Sequence, residues 1–310
     1  MPLHNENLTS LIQDQNLEAL DRLAVPVPRV QNYSLSFRSC LMLSTHNLKH
    51  LAKIPTLSAE CIILNLEDGV SAQQKPYALR LCAIALASYP NINKKLVVRI
   101  NALGEGGIEE IAYLNAFMPD AVRIPKIRSV DEVQKALALI DENIEVHLSI
   151  ETKEAWLALG EFAIHRRVKA YYLGVLDLFA DLGLSQSLLT PDNPTMQYML
   201  SHFMITTRAC GVKPVSFVYQ DYKNSDGFRN WLELEKTIGL DAKGCITPDQ
   251  VTLIHEIFGH SEEEIQRCRE IVKLFEEQEA KGVTGFVDEQ YGFIDEPIYK
   301  GALAVLASSK

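Results

Sequence analysis

The sequence has no long uninterrupted apolar stretch. No apolar run approaches the roughly 20 residues that a helix needs to cross a bilayer, so we expect no membrane span. The first residues, MPLHNENLTSLIQDQNLEALDRL, mix charges with leucines and lack the basic start and continuous apolar centre of a signal peptide. A cytoplasmic location is therefore predicted.

Paired cysteines and excess positive charge are also missing. The six cysteines form no CxxC pair and lie in apolar or helical contexts, which favours buried free thiols over a disulfide framework or a zinc site. A bound metal would then be held by oxygen. The net charge of −10 makes nucleic acid an unfavourable partner but allows a local basic pocket around a phosphorylated cofactor.

The chain does contain a series of apolar runs with helix-like segments between most of them. The runs are SCLMLS, CIILNL, LVVRI, AVRIP, EVHLSI, AYYLGV, KPVSFV and KGCI. Eight strands alternating with helices predict a (β/α)8 TIM barrel, which typically takes about 250 residues. The 310 residues therefore suggest an N-terminal helical arm (1–33), a barrel (34–260) and a C-terminal helical extension with an active-site loop (261–310).

Both ends carry helix signals. Leucine and isoleucine spacing predicts helical structure over 7–23, and Pro26 and Pro28 then stop this pattern. Ser261 and Glu264 fit a capping box at the start of the extension. The segment KGVTGFVDEQYGFIDEP has three glycines and is predicted to be a mobile loop before a final helix that opens at Pro297.

Several apolar runs end in a polar residue, where barrel enzymes place their chemistry. Glu151 and Asp177 close successive runs, and ends of adjacent parallel strands lie about 4.8 Å apart, so their carboxylates are predicted to meet at one hard cation, most economically Mg2+. The alternative is that both carboxylates cap the helices that follow.

Four further residues belong to the same predicted strand ends. Glu67 and Asp68 would bind metal-bound water, or form only an acidic turn before a glycine. Arg99 is the candidate to stabilise an oxyanion, with a structural ion pair as the alternative. Lys126 either forms a Schiff base with a carbonyl substrate or stabilises charge near the carboxylates.

The histidines offer less. His147 shares a strand face with Glu151 and is a possible neighbour of the ligands, although a buried core histidine is the more common case. His255 and His260 are placed on a helix and at a helix end, and their spacing does not form a metal-binding pair.

Blocks of the sequence resemble a known family. RSCLMLSTHNLKHLAKIPTLSAECIILNLEDGV, VVRINALG, IPKI, LSIET, LGVLDLFADLG, GCITPDQV and GFIDEPIYKGA occur in the order typical of the HpcH/HpaI aldolase and citrate lyase β-subunit family. The resemblance implies a TIM barrel that uses Mg2+ to cleave or form the carbon–carbon bond of 3-hydroxyacyl thioesters such as malyl-, citramalyl- or citryl-CoA. It makes Glu151 and Asp177 direct metal ligands and Arg99 the substrate arginine, and it favours metal over imine chemistry at Lys126.

The resemblance also has implications for assembly and for CoA. Asp295 matches an aspartate that CoA-dependent relatives insert into a neighbouring subunit's site as general acid/base, which implies a homotrimer or a hexamer. A plain helix cap is the alternative for Asp295. Lys49 and Lys53 match basic residues that bind CoA phosphates, or serve only as solubilising lysines.

The chain departs from the family pattern at several positions. Ser44 and Thr45 replace Pro-Gly, Asn65 replaces Asp, Leu176 replaces Glu, and Thr247 replaces His. The reaction type, release of acetyl-CoA and a 2-oxo acid, is therefore better specified than the substrate. A metal-dependent aldolase on free hydroxy-oxo acids and a non-catalytic barrel subunit remain open.

Overall fold

The computed structural model describes residues 3, 6–14, 16–32 and 36–308. The chain forms two compact units, Met1–Ile257 and Phe258–Lys310. The predicted separation of an N-terminal arm from the barrel stays a prediction.

The first unit is built on eight parallel strands in a nearly closed barrel, ordered β7-β6-β5-β4-β3-β2-β1-β8. The strands are β1 Ser39–Ser44, β2 Cys61–Asn65, β3 Lys95–Arg99, β4 Ala121–Ile124, β5 Glu145–Ile150, β6 Val168–Leu173, β7 Lys213–Val215 and β8 Lys243–Cys245. Between β7 and β8 the ladder is reduced to one parallel bridge, Ser216 to Lys243. The predicted TIM barrel is confirmed.

Helices connect and surround the strands. Those of the first unit are α1 Glu6–Gln13, α2 Leu17–Leu23, α3 Leu48–Ala52, α4 Lys75–Ser88, α5 Gly107–Leu114, α6 Val130–Leu139, α7 Lys153–Leu157, α8 Val175–Leu182, α9 Pro194–Ala209, α10 Ser225–Ile238 and α11 Pro248–Phe258. The helical spacing over 7–23 corresponds to two helices, α1 and α2. Asn16 starts a second helix there, because its side chain accepts a hydrogen bond from the Ala19 N–H at 3.0 Å.

The interior of the barrel contains an apolar cluster away from the carboxyl ends of the strands. Inward side chains of neighbouring strands, among them Cys40, Cys61, Ile63 and Val97, form one buried cluster. All six cysteines are free and five of them are buried, as their apolar contexts predicted. Burial on both sheet faces accounts for the continuous apolar runs in the sequence.

The second unit contains α12 Glu262–Glu279, an antiparallel hairpin of β9 Gly285–Asp288 and β10 Gly292–Asp295, and α13 Glu296–Ser308. The expected mobile loop is thus wrong, because its residues pair as strands and bury Ile294 completely. Ser261 caps α12 as the capping-box pattern predicted, with the Glu264 N–H donating to Ser261 Oγ at 3.1 Å. None of the helices in the described part of the chain is long and apolar enough to span a membrane.

Candidate active site

The carboxyl ends of the strands bring the predicted polar residues together. Arg99 is the last residue of β3, and Glu151 directly follows β5. Glu67 and Lys126 each lie two residues beyond their strands, β2 and β4. Parallel strands present these ends at one face, so the four side chains meet there.

Asp177 does not end a strand, contrary to the prediction. β6 ends at Leu173, Gly174 precedes the helix, and Asp177 lies exposed in the first turn of α8. The apolar run continues from the strand into this helix and hides the boundary. Asp177 nevertheless lines the same cavity as Glu151.

The Glu151 carboxylate is held by backbone on two sides. Its Oε1 accepts a hydrogen bond from the Lys126 N–H at 2.8 Å, and Lys126 has the left-handed φ of 54°. A Cβ on Gly174 would lie 2.5 Å from Glu151 Cβ and 2.6 Å from Oε2. Only glycine allows the β6–α8 turn to pass this close to the carboxylate.

Arg99 is at the centre of a cluster of charges. Its Nη2 forms a close ion pair with Glu67 and lies 3.3 Å from Asp68 Oδ2 and 3.7 Å from Glu151 Oε2. Lys126 Nζ lies 3.4 Å from Glu67 Oε1. The ion-pair alternative for Arg99 therefore describes a real contact, and the same guanidinium also faces the cavity.

Burial raises the pKa of Glu67 to about 7, and the charges of Glu151 and Asp68 act in the same direction against Arg99 and Lys126. For Lys126, burial acts to lower the pKa, but the Glu67 carboxylate outweighs it and the pKa is raised. The Lys126 amine is therefore protonated at neutral pH.

Two cavities open at this end of the barrel. The first, of about 270 Å3, is lined by Met42, Asp68, Gly69, Arg99, Arg123, Glu151, Leu173, Gly174, Val175, Leu176, Asp177, Phe217, Val218, Gln220 and Ile246. The second, of about 350 Å3, shares Met42, Asp68 and Ile246 with the first and adds Lys53, Ser44 and His50. Lys49 is exposed on α3 and is not among the lining residues of the second cavity.

The oxygen ligands suit a hard cation. No group of three or more His, Cys, Asp or Glu side chains within the described ranges is arranged to hold a metal. However, Glu151 and Asp177 share a cavity, and both oxygens of Glu67 are buried without a well-formed hydrogen bond despite the neighbouring cations. Mg2+ is commonly bound by only one or two protein carboxylates and keeps its other coordination positions for water and substrate, so this pair fits it.

His147 belongs to the barrel core. It is completely buried, and its two ring nitrogens lie 3.2 Å from the Tyr172 hydroxyl and 3.3 Å from Glu145 Oε2. Burial lowers its pKa. His255 lies on α11 with its Nε2 2.8 Å from Ser39 Oγ, and His260 lies 3.0 Å from Glu264.

Asp295 ends β10 and precedes α13. Its Oδ1 accepts a hydrogen bond from the Ile298 N–H at 3.2 Å, the geometry of a helix cap. The acid/base role of Asp295 stays a prediction.

Comparison with known proteins identifies the family. The family model HpcH/HpaI aldolase/citrate lyase matches residues 38–248. The chain belongs to this family. Membership, with a citrate lyase β subunit and a citramalyl-CoA lyase among its relatives, confirms the prediction of a carbon–carbon lyase.

Three curated relatives cover most of the chain. It is 30% identical over 250 residues to the (3S)-malyl-CoA thioesterase of Cereibacter sphaeroides, covering 79% of this chain and 85% of that one. It is 26% identical over 285 residues to the citrate lyase subunit beta of Haemophilus influenzae (88% and 97% covered). It is 26% identical over 298 residues to the mitochondrial citramalyl-CoA lyase of Rattus norvegicus (88% and 86% covered).

A solved structure has the same fold. Protein CitE from Mycobacterium tuberculosis, in complex with magnesium, acetoacetate and coenzyme A, superposes with a TM-score of 0.71 at 23% identity, covering 89% of this chain and 99% of that one.

Three departures from the family pattern line the cavities of this member. Leu176 adds an apolar side chain to the first cavity, beside Asp177. Ser44 and Asn65 line the second cavity. None of these departures replaces Glu151, Asp177 or Arg99.

Proposed function

We propose that this lyase uses Mg2+ to cleave a 3-hydroxyacyl-CoA of the citramalyl-, malyl- or citryl-CoA type into acetyl-CoA and a 2-oxo acid. The observation that carries the proposal is that Glu151, Asp177 and Arg99 line one cavity at the carboxyl end of the barrel, with a second cavity beside it. Relatives named for malyl-CoA and citramalyl-CoA support the substrate class.

Glu151 and Asp177 would hold the metal. When bound there, Mg2+ would supply a Lewis acid that polarises oxygen atoms of the oxo-acid portion. The backbone contacts on Glu151 keep its carboxylate oriented, and Glu67 and Asp68 fix the Arg99 guanidinium beside it.

In the cleavage, the 3-hydroxyl group loses its proton and becomes the carbonyl of the 2-oxo acid. The bond between carbons 2 and 3 breaks, and its electron pair passes into the thioester enolate. Arg99 stabilises that negative charge as a permanently charged planar donor. Protonation at carbon 2 then gives acetyl-CoA.

Lys126 stabilises charge and does not act as a nucleophile. A Schiff base requires a neutral amine, whereas Glu67 at 3.4 Å raises the pKa of Lys126. Borohydride with pyruvate is therefore expected to trap no adduct, and a reduced adduct on Lys126 in the mass spectrum would overturn this assignment.

The second cavity is proposed to hold part of the CoA moiety. Lys53 lines it and can meet a phosphate. Lys49, exposed one helical turn earlier, would contribute only at the rim.

Asp295 of another subunit is proposed to deliver the proton to carbon 2, in a homotrimer or a hexamer. The motif GFIDEP carries this part of the proposal. Asp295 is half-buried at the end of β10, and its Oδ1 caps α13 within its own subunit.

The test measures products from malyl-, citramalyl- and citryl-CoA with and without Mg2+. Acetyl-CoA and an oxo acid should appear only with the metal. Asp177→Asn and Glu151→Gln should lose turnover and weaken Mg2+ binding in calorimetry, whereas the exposed loop variant Asp192→Asn should not. Unchanged Mg2+ affinity in folded Asp177→Asn and Glu151→Gln proteins would refute the metal assignment.

Thioester hydrolysis is the second candidate, favoured by the 30% identity to a (3S)-malyl-CoA thioesterase. It releases free CoA and a hydroxy diacid and leaves the carbon–carbon bond intact. Free CoA without acetyl-CoA in the same assay would select this candidate.

A further inference from the structure

Arg123 lies in the wall of the first cavity and was not singled out by the sequence. It is on β4, its residue is 5% exposed, and it lines the cavity together with Arg99 and Glu151. In the strand register it stands between Arg99 of β3 and His147 of β5. It therefore projects toward the barrel interior with those two residues.

Arg123 differs from the other buried cations. The lysines and arginines of the described residues with buried side chains include Arg29, Lys95, Arg99, Arg123 and Lys243. All of these except Arg123 have a carboxylate partner, at 3.2 Å for Arg29, 2.7 Å for Lys95 and 2.6 Å for Lys243, and in close contact for Arg99. Within the described part of the chain, Arg123 has no carboxylate oxygen within the 4.0 Å that defines an ion pair.

The guanidinium is nevertheless held in place. Nε donates to Ser149 Oγ at 2.9 Å, and the guanidinium carbon lies 4.2 Å from the centre of the Tyr172 ring. These are the contacts that the structure gives this side chain, so its two terminal nitrogens have no acceptor among the described residues. A buried charge without a partner is costly.

The charge persists at neutral pH. Burial and then the neighbouring Arg99 lower the pKa of Arg123 to about 10, while Glu151, Tyr172 and Glu67 oppose the shift. A fixed, planar and charged fork with free donors in a cavity is the arrangement that binds a carboxylate in two-point contact.

We propose that Arg123 binds a second carboxylate on the oxo-acid portion of the substrate, so that the preferred thioester yields a dicarboxylic 2-oxo acid. This inference rests on the proposed function, in which Glu151 and Asp177 would hold the metal that meets the first carboxylate, and Arg99 stabilises the thioester enolate. A substrate with hydrogen or methyl at that position would leave the guanidinium unpaired. A site built for a polar group discriminates strongly against an analogue without it.

The experiment compares citryl-CoA, which yields a diacid, with citramalyl-CoA, which yields a monoacid. The wild-type protein should prefer citryl-CoA in kcat/KM. Arg123→Met should lower kcat/KM for citryl-CoA on the order of 10²-fold and for citramalyl-CoA by less than about tenfold. Arg229 is a half-buried arginine on α10, outside both cavities and paired with Glu256. Arg229→Gln is therefore the matched control and should change kcat/KM for neither thioester.

A second variant guards against misfolding. Ser149→Ala keeps the guanidinium but removes its 2.9 Å anchor, so it should raise KM for citryl-CoA more than for citramalyl-CoA. Calorimetry with oxaloacetate and pyruvate in the presence of Mg2+ reads binding without turnover. In this measurement, Arg123→Met should weaken the binding of oxaloacetate and leave the binding of pyruvate unchanged.

The outcomes separate the two proposals. Equal losses on both thioesters, or a wild-type preference for citramalyl-CoA, would overturn the role of Arg123 and leave the lyase proposal intact. If no thioester is cleaved, the proposed function fails, and calorimetry still decides Arg123. Unchanged oxaloacetate affinity in Arg123→Met or in Ser149→Ala would then refute it.

Discussion

Replacing Gly174 by alanine tests whether the position of Glu151 matters more than its identity. The added methyl group would lie 2.5 Å from Glu151 Cβ and 2.6 Å from Oε2. Ordinary contacts between carbon atoms are about 3.5–4.0 Å. Because Cβ is fixed to the backbone, the whole Glu151 residue and the β6–α8 turn must move apart by about 1 Å.

Both effects have an expected size. Overpacking of this kind costs about 1–3 kcal/mol of unfolding free energy. A displacement of about 1 Å at a catalytic group costs on the order of 10²-fold in rate, or about 2.7 kcal/mol in the barrier. Gly174→Ala should therefore fold, with activity reduced far more than stability would explain.

The assay combines urea unfolding, Mg2+ calorimetry and the rate of acetyl-CoA release. Gly160→Ala is the control, because its new methyl group would lie 3.7 Å from Thr206 Cγ2, an ordinary contact. Turnover and Mg2+ affinity in Gly174→Ala within about threefold of the wild-type values would mean that Glu151 tolerates the displacement and that the reasoning is wrong.

Three further predictions concern charge, capping and assembly. Lys95→Met should lower the unfolding free energy by about 3–5 kcal/mol, because it leaves the buried Glu145 carboxylate without the ammonium group that now lies 2.7 Å away. Urea denaturation measures this loss, and a value below about 1 kcal/mol would contradict the prediction. Ser261→Ala should cost about 1 kcal/mol by removing the cap of α12, measured as a lower thermal midpoint, and Ser261→Thr should retain most of it. Asp295→Asn should keep Mg2+ binding but lose turnover. Reassembly with the inactive Arg99→Ala protein should restore part of the turnover, because some sites would then combine Arg99 of one subunit with Asp295 of another. Mixed oligomers without recovered turnover would exclude action in trans.

The barrel was predictable because its signal is repeated. The run SCLMLS coincides with β1 and EVHLSI with β5, and the parallel order of all eight strands follows from the alternation with helices. The C-terminal hairpin was missed because GFVD and GFID are short and rich in glycine, which reads as loop. The available signal was that GFVD and GFID repeat the same residue pattern on either side of a short turn, where they pair as antiparallel strands.

The position of Asp177 could not be read from hydrophobicity. The run AYYLGVL is apolar through both the end of β6 and the start of α8, so periodicity gives no boundary within it. Gly174 is the only break, and its role appears when the Glu151 side chain is placed against it. That contact joins strands β5 and β6 and is therefore absent from any local pattern.

Strand β5 shows how structural and functional polar groups are separated in this barrel. Its residues alternate, so Glu145, His147 and Ser149 point inward, and Glu151, which directly follows the strand, continues this alternation. Glu145 is paired with Lys95, and His147 with Tyr172 and Glu145, so the lower layers are satisfied within the protein.

Nearer the mouth, the partners become incomplete. Ser149 takes only one nitrogen of Arg123, and Glu151 accepts one backbone hydrogen bond at Oε1 while facing the cavity. Because an unpaired buried charge is costly, such groups persist where a ligand completes them. The residues proposed to bind a cation or an anion thus differ from the structural ones in their missing partners and not in their residue type. The sequence indicates Glu151 because it follows a strand end, but it gives no such signal for Arg123, which lies inside a strand.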